Sequence, residues 1–294
     1  EFRRVLFRSY WCVKKSKKLK NMKKTLLTIL ALTFCLAAGA FRADTVKVYS
    51  ASMDKYIPAI VISPDLALQG YRCPSVYLLH GHNGDYKTWP SIRRDLGETA
   101  DAYGFVFVCP DAGNSWYLDS PIRKDSQYET FMTKELVPYI DAHYNTLADK
   151  RFRAISGLSM GGHGALFLGM RHSDIWGSAG SMSGCPDIRV HPNNWNLQDI
   201  LGNYADNSTL WDKYCVVNQL GLVRSGDLAM IIDCGEGDFM LEMNKDLHTR
   251  LLGAGLDHDF ITRPGVHWFD YWQNAIDYQL LFHSKYFNKN AERH

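Results

Sequence analysis

Eight short apolar runs of strand length recur along this chain, and longer stretches of helical pattern separate most of them. "VKVYSA" and "AIVISP" come close together near residue 50 and read as an opening antiparallel pair. "SVYLLH" (75–80), "GFVFVCP" (104–110), "RFRAIS" (151–156), "WGSAGSMS" (176–183), "LAMIID" (228–233) and "HDFITRP" (258–264) follow. Helical patterns cover Ser91–Tyr103, Lys134–Tyr144, Gly162–Arg171, Leu241–Leu252 and Trp268–Phe287. Runs that are apolar throughout, rather than alternating, are strands buried on both faces. The alternation therefore predicts a mostly parallel sheet with helices on both faces, and functional groups in the loops beyond the carboxyl ends of its strands. Only Cys185–Gly226 breaks the rhythm. That segment is rich in Asn, Trp and Tyr, and it predicts a cap-like insertion after the sixth strand, over one end of the sheet.

The first 43 residues belong to a different composition. "MKKTLLTILALTFCLAAGA", Met22–Ala40, has a basic start, an apolar run and a small-x-small ending, the layout of a secretory signal peptide. Its uncharged run, Thr25–Ala40, is 16 residues, below the roughly 20 needed to span a bilayer. No stable membrane anchor is expected, and the location implied is secreted or periplasmic. Residues 1–21 lie upstream of the start at Met22 and read as non-native. Residues 44–294 then form one domain. They carry 22 Lys and Arg against 30 Asp and Glu, a net of −8, which speaks against nucleic-acid binding. Five cysteines remain, Cys73, Cys109, Cys185, Cys215 and Cys234, with no Cys-x-x-Cys pair. Buried thiols are expected for Cys109 and Cys234, and a single disulfide stays open without a choice of partners.

Within "RAISGLSMGGHGAL", Gly157-Leu158-Ser159-Met160-Gly161 fits G-x-S-x-G with a strand before it and a helix after it. The turn is too sharp for large flanking residues, and it exposes the serine hydroxyl at the amino end of a helix. Ser159 is the expected nucleophile. A serine hydroxyl needs a base within hydrogen-bond reach, and in this arrangement acid and base follow later in the chain. His267, in "RPGVHWFDYW", is the one downstream histidine just after a predicted strand; His248 and His283 fall in helices, and His258 opens a strand at its far end. His163 lies one helical turn beyond Ser159, out of order for the base. Three carboxylates compete in "DCGEGDF": Asp233, Glu236 and Asp238. Asp238 is preferred, since Gly235 and Gly237 let the chain turn back beneath the imidazole. Asp233 is second and Glu236 third.

A developing oxyanion needs two donors. One is the Met160 N–H. The other is expected from "YLLHGHNGD" (77–85), with the His82 N–H preferred and Gly81 or Asn83 as near alternatives. His80 reads as structural, bracing that loop. Neither His80 nor His82 has a companion ligand in the sequence, so no metal and no cofactor is expected.

Taken in order, "VYLLHGHNGDYKTW", "VCPDAGNSWYLDSP", "RAISGLSMGGHGAL", "IIDCGEGDF" and "PGVHWFDYW" resemble the α/β-hydrolase-fold serine esterases. The similarity is to the tributyrin esterase, esterase D (S-formylglutathione hydrolase), and feruloyl and acetylxylan esterase group, with mycolyltransferases more distant. The resemblance implies an α/β-hydrolase fold and an acyl-enzyme mechanism on short-chain acyl or hydroxycinnamoyl esters, small or linked to polysaccharide. It places nucleophile, acid and base on Ser159, Asp238 and His267, and oxyanion donors on Met160 and Gly81–His82. His82 departs from the apolar residue often found there. A thioesterase of the S-formylglutathione type, a mycolyltransferase-like acyltransferase and, remotely, a non-catalytic carbohydrate-binding domain are the alternatives. Trp116 and Tyr117 are the expected acyl or aromatic contacts, with weaker expectations for Trp195 and Trp211. Trp268 and Phe269 are expected to pack the last helix onto the sheet.

Overall fold

β1 (Arg42–Ser50) and β2 (Lys55–Ser63) form the expected hairpin, paired from Arg42 with Ser63 to Ser50 with Lys55. In this computed structural model, which describes residues 41–292, they open an eight-stranded sheet. The proposed leader, Met22–Ala40, and residues 1–21 lie outside the described residues. The remaining strands are β3 (Ser75–Leu79), β4 (Val106–Pro110), β5 (Arg153–Leu158), β6 (Ser178–Met182), β7 (Ala229–Gly235) and β8 (Asp259–Arg263). Their order is β1-β2-β4-β3-β5-β6-β7-β8; β2 pairs antiparallel with β4, and every pair from β4 to β8 is parallel.

β3, β4, β5 and β6 are buried at every residue, which is why their sequences are unbroken apolar or small runs. Alternate side chains serve two cores. Tyr77 and Leu79 face one shared with Met160, Phe167 and Leu247, whereas Val76 and Leu78 face another shared with Leu96, Ala100, Ile276 and Leu280.

The helices are α1 (Asp65–Leu68), α2 (Thr88–Ile92), α3 (Leu96–Tyr103), α4 (Tyr128–Thr130), α5 (Val137–His143), α6 (Met160–Arg171), α7 (Leu197–Leu201), α8 (Tyr204–Asp212), α9 (Leu241–Gly253) and α10 (Phe269–Ala291). The single helix expected over Ser91–Tyr103 is two, because Arg93 leaves helical geometry (φ −112°, ψ 84°) and pairs with Asp95 and with Asp277 of α10. The helix expected from Lys134 begins earlier. α4 runs through a π-helical stretch, Phe131–Leu136, into α5. The segment after β6 holds α7, α8 and three single-turn 3₁₀ pieces before β7, the insertion its composition suggested. All five cysteines in the described residues are free and buried, so none forms a disulfide. Among these residues no helix is long and apolar enough to cross a membrane.

The loops of interest leave one edge of the sheet, after β3, β5, β7 and β8. Their convergence depends on close approach between β5, β3 and α6. A Cβ on Gly157 would lie 2.3 Å from the Gly161 backbone, and one on Gly161 would lie 2.4 Å from the Leu79 carbonyl oxygen. By contrast a Cβ on Gly253, at the end of α9, meets nothing within 4 Å. Gly157→Ala is expected to lower stability in urea denaturation by about 2 kcal/mol or more. Gly253→Ala is expected to raise it by about 0.5–1 kcal/mol. Unchanged stability in Gly157→Ala would contradict the packing described.

Candidate active site

Ser159 sits between β5 and α6 with φ 54° and ψ −119°, a left-handed geometry that costs a non-glycine residue on the order of 1–3 kcal/mol. Its N–H donates to the Met182 carbonyl, and the hydroxyl stands at the start of α6. The flanking glycines have the role their spacing suggested, and the reason is now metric. Either side chain would collide with backbone rather than with a movable group.

His267, in the loop between β8 and α10, bridges serine and acid. Its Nε2 is 2.9 Å from Ser159 Oγ, and its Nδ1 is 3.0 Å from both oxygens of Asp238. With Nδ1–H donating to the carboxylate, Nε2 carries a lone pair directed at the serine hydroxyl. The Asp238 side chain has no solvent exposure and also accepts from the Met240 N–H at 2.9 Å. Burial alone would raise this carboxyl, but the hydrogen bonds led by His267 outweigh it and hold it below its ordinary range. The acid and base loops are joined by backbone bonds: Glu236 N–H to Arg263 and Gly237 N–H to Gly265, both 2.8 Å. A Cβ on Gly235 would lie 2.5 Å from the Gly265 oxygen, so this approach also requires glycine.

The competing carboxylates are elsewhere. Asp233 is fully buried, accepts from Arg263 at 2.6 Å and from the Tyr271 hydroxyl, and holds the start of α10 to β7. Glu236 is exposed.

The loop after β3 lies against the serine, since a Cβ on Gly81 would be 3.3 Å from Ser159 Cβ. Among the described residues neither the His82 nor the Met160 N–H has a protein acceptor, as a donor pair for an anion requires. Several bonds fix the loop. His80 is buried, its Nε2 accepts from the Ala112 N–H at 2.9 Å, and its Nδ1 therefore bears the proton given to the Gly81 oxygen at 2.7 Å. Burial holds this imidazole below its usual range, in keeping with the neutral tautomer. Asn83 and Asn114 exchange two bonds, at 2.7 and 3.0 Å. His82 Nε2 reaches Asn196 Oδ1 of the insertion at 3.1 Å. Both imidazoles are thus engaged with protein groups, and no cluster of three or more metal-ligating side chains occurs among the described residues.

Two expectations need correction. Trp116 and Tyr117 are 1% and 0% exposed, so they present no surface to a ligand here. The Tyr117 hydroxyl donates to the His80 carbonyl and its ring packs under Gly164, while Trp116 Nε1 donates to the Trp195 carbonyl. Both support the loops from beneath. Trp268 and Phe269, expected inside, are 59% and 44% exposed. The α10 side chains that pack inward are instead Tyr271, Trp272, Ala275 and Ile276, since Trp268 only caps the helix. Trp211 is buried, and Trp195 is partly exposed beside the site. His163 is buried, bonded to the Cys185 carbonyl at 3.0 Å, and pushed down to about 4 by burial.

The sequence reading missed Phe239 and Trp272, whose rings lie 4.6 and 4.9 Å from the His267 ring. Phe239 is 57% exposed and stacks toward Trp195 at 6.1 Å. Its position directly after Asp238 was the available signal. Asn114 and Asn196 had none, because their partners are 31 and 114 residues away.

Residues 50–283 match the esterase family. The chain belongs to that family. The chain is 29% identical over 239 residues to an esterase of Mycobacterium tuberculosis; the match covers 71% of this chain and 52% of that protein, about half its length. An acetyl esterase of Caldicellulosiruptor saccharolyticus is 26% identical over 69% of this chain and 80% of its own. A solved ferulic acid esterase superposes with a TM-score of 0.71 at 29% identity, covering 85% of this chain and 99% of that one. The chain thus has the α/β-hydrolase fold.

The two aspartates separate by experiment. Asp238→Asn is expected to lower kcat by about 10⁴-fold, through the wrong imidazole tautomer, while the protein stays folded. Asp233→Asn is expected to act on stability, costing about 3–5 kcal/mol by stranding Arg263. A larger kcat loss in Asp233→Asn would reverse the assignment. The folded-state value of Asp238 also lies below the unfolded one of about 3.9, so its stabilisation is complete above that pH and is lost as pH falls through the folded value. Thermal midpoints of Asp238→Asn should therefore vary less than wild type below about pH 4.

Proposed function

We propose that the protein is an exported serine carboxylesterase, with Ser159 as nucleophile, His267 as base and Asp238 as the acid that orients it. The observation that carries this reading is the continuous chain of bonds from Asp238 through His267 to a serine held at φ 54° on the elbow. Ser159 Oγ attacks the ester carbonyl as His267 Nε2 takes its proton. The Met160 and His82 N–H groups receive the oxyanion, with Gly81 leaving room for it beside the serine. His267 then returns the proton to the departing alcohol, and water repeats the sequence on the acyl-serine. Asp238 keeps the proton on Nδ1 and stabilises the imidazolium.

Short-chain acyl and hydroxycinnamoyl esters are the proposed substrates, possessed either by small molecules or by polysaccharide. The acetyl esterase and ferulic acid esterase among the relatives support that range. So do the rings of Phe239 and Trp195, which offer apolar surface beside His267 where the buried Trp116 and Tyr117 do not. Export rests on the sequence of Met22–Ala40 alone.

Purified protein is expected to hydrolyse p-nitrophenyl acetate and methyl ferulate, and Ser159→Ala to lose about 10⁴-fold or more in kcat on each. Equal rates in wild type and Ser159→Ala would overturn the assignment. Faster turnover of S-formylglutathione than of either ester would replace it with the thioesterase reading.

A further inference from the structure

The peptide joining Gly81 to His82 carries the N–H assigned to the oxyanion, and one end of it is pinned by the β3 loop itself. The Gly81 carbonyl accepts from His80 Nδ1–H at 2.7 Å and from the Gly84 N–H at 3.0 Å. In a trans peptide the N–H points opposite to the oxygen, so these two bonds set its direction. They do not set the position of the His82 end. That end is held by the His82 side chain. Burial pushes the imidazole below its usual range, so the ring is neutral and carries one N–H. Asn196 decides which nitrogen bears it. Asn196 Nδ2 donates to Asp199 Oδ2 at 2.9 Å, which turns Oδ1 toward the ring, and His82 Nε2–H donates to that oxygen at 3.1 Å. A line of bonds therefore runs from the insertion, through Asp199 and Asn196, to the oxyanion loop.

The insertion adopts unfavourable local geometry to make this contact. Trp195 and Asn196 are consecutive non-glycine residues with φ 54° and 58°. Asn196 is also the N-cap of α7, where an asparagine oxygen ordinarily accepts from an N–H of the first turn, and it makes no such bond. The Trp195 carbonyl is tied to the buried Trp116 indole at 3.1 Å, which keeps the pair in place. Strain of this kind persists only where surrounding contacts over-determine it, and here it delivers the Asn196 oxygen to His82.

We propose that Asn196 is a positioning residue for ester hydrolysis, holding the His82 imidazole and, through it, the His82 N–H against the developing oxyanion. Asp199 stands behind it and orients the amide. This role rests on the serine carboxylesterase reading, with His82 as the second oxyanion donor. A displaced donor still admits the substrate but receives the oxyanion less well, so the cost falls on kcat rather than on KM.

Kinetics on p-nitrophenyl acetate test this with Asn196→Gly, His82→Leu and the double variant. Glycine suits φ 58° and removes only the amide; leucine keeps the His82 N–H and removes the ring that Asn196 holds. Asn196→Gly is expected to lose about tenfold or more in kcat, with KM within about twofold of wild type. His82→Leu should lose a similar factor, and adding Asn196→Gly to it should cost nothing further. A residue that only supported the fold would cost the same in both backgrounds. Should Asn196→Gly fail to fold, Asp199→Ala takes its place, with about threefold lost in kcat and no loss in the His82→Leu background. Unchanged kcat, a loss confined to KM, or losses that multiply in the double variant would overturn the proposal. Failure of the esterase reading looks different: Ser159→Ala would hydrolyse p-nitrophenyl acetate as fast as wild type, whatever Asn196→Gly shows.

Discussion

Everything at the site depends on the close approach of β5, β3 and α6 around Ser159. A residue with φ 54° is unfavourable on its own, and it is held because the turn has no room to relax. Gly157 meets the Gly161 backbone and Gly161 meets the Leu79 carbonyl, so the strand before the serine, the helix after it and the neighbouring strand share one contact. That contact also sets the β3 loop, which leaves Leu79 and passes Gly81 within touching distance of the serine. Ser159 and the loop after β3 are thus positioned by one piece of packing.

The other half of the site is built the same way. The loops after β7 and β8 are joined by backbone bonds that require Gly235 to lie against Gly265, and the carboxylate and imidazole meet as a result. Asp233, one turn of chain earlier, secures that region by pairing with Arg263 and Tyr271. Polar groups that look interchangeable in sequence divide into one that bonds the His267 ring and one that holds the scaffold. The insertion adds a third support: Trp195 and Asn196, both at positive φ, reach Trp116 and His82.

The strands, the elbow and the meeting of Ser159, His267 and Asp238 were legible in the sequence because each depends on local pattern. Apolar runs report burial on two faces, and the glycines around Ser159 and before Asp238 report tight turns. Trp116 and Tyr117 were misplaced because an aromatic in a loop beside the site can face the ligand or the core, and that choice is made by tertiary contacts. Here it is made by the His80 and Trp195 carbonyls, which accept their polar atoms beneath the loops. Trp268 and Phe269 erred in the opposite sense, since the inward face of α10 begins only at Tyr271. The break at Arg93 was hidden for a similar reason, because the partner that fixes it, Asp277, is remote in sequence.

The account's central claim is that Ser159 carries the acyl group during turnover. The most direct measurement is peptide mass spectrometry of enzyme quenched with acid while it turns over p-nitrophenyl acetate. An acetyl group on the peptide containing Ser159, absent when that residue is alanine, is the predicted result. An active enzyme that carries no acetyl group on Ser159, or carries it on another side chain, would contradict the account.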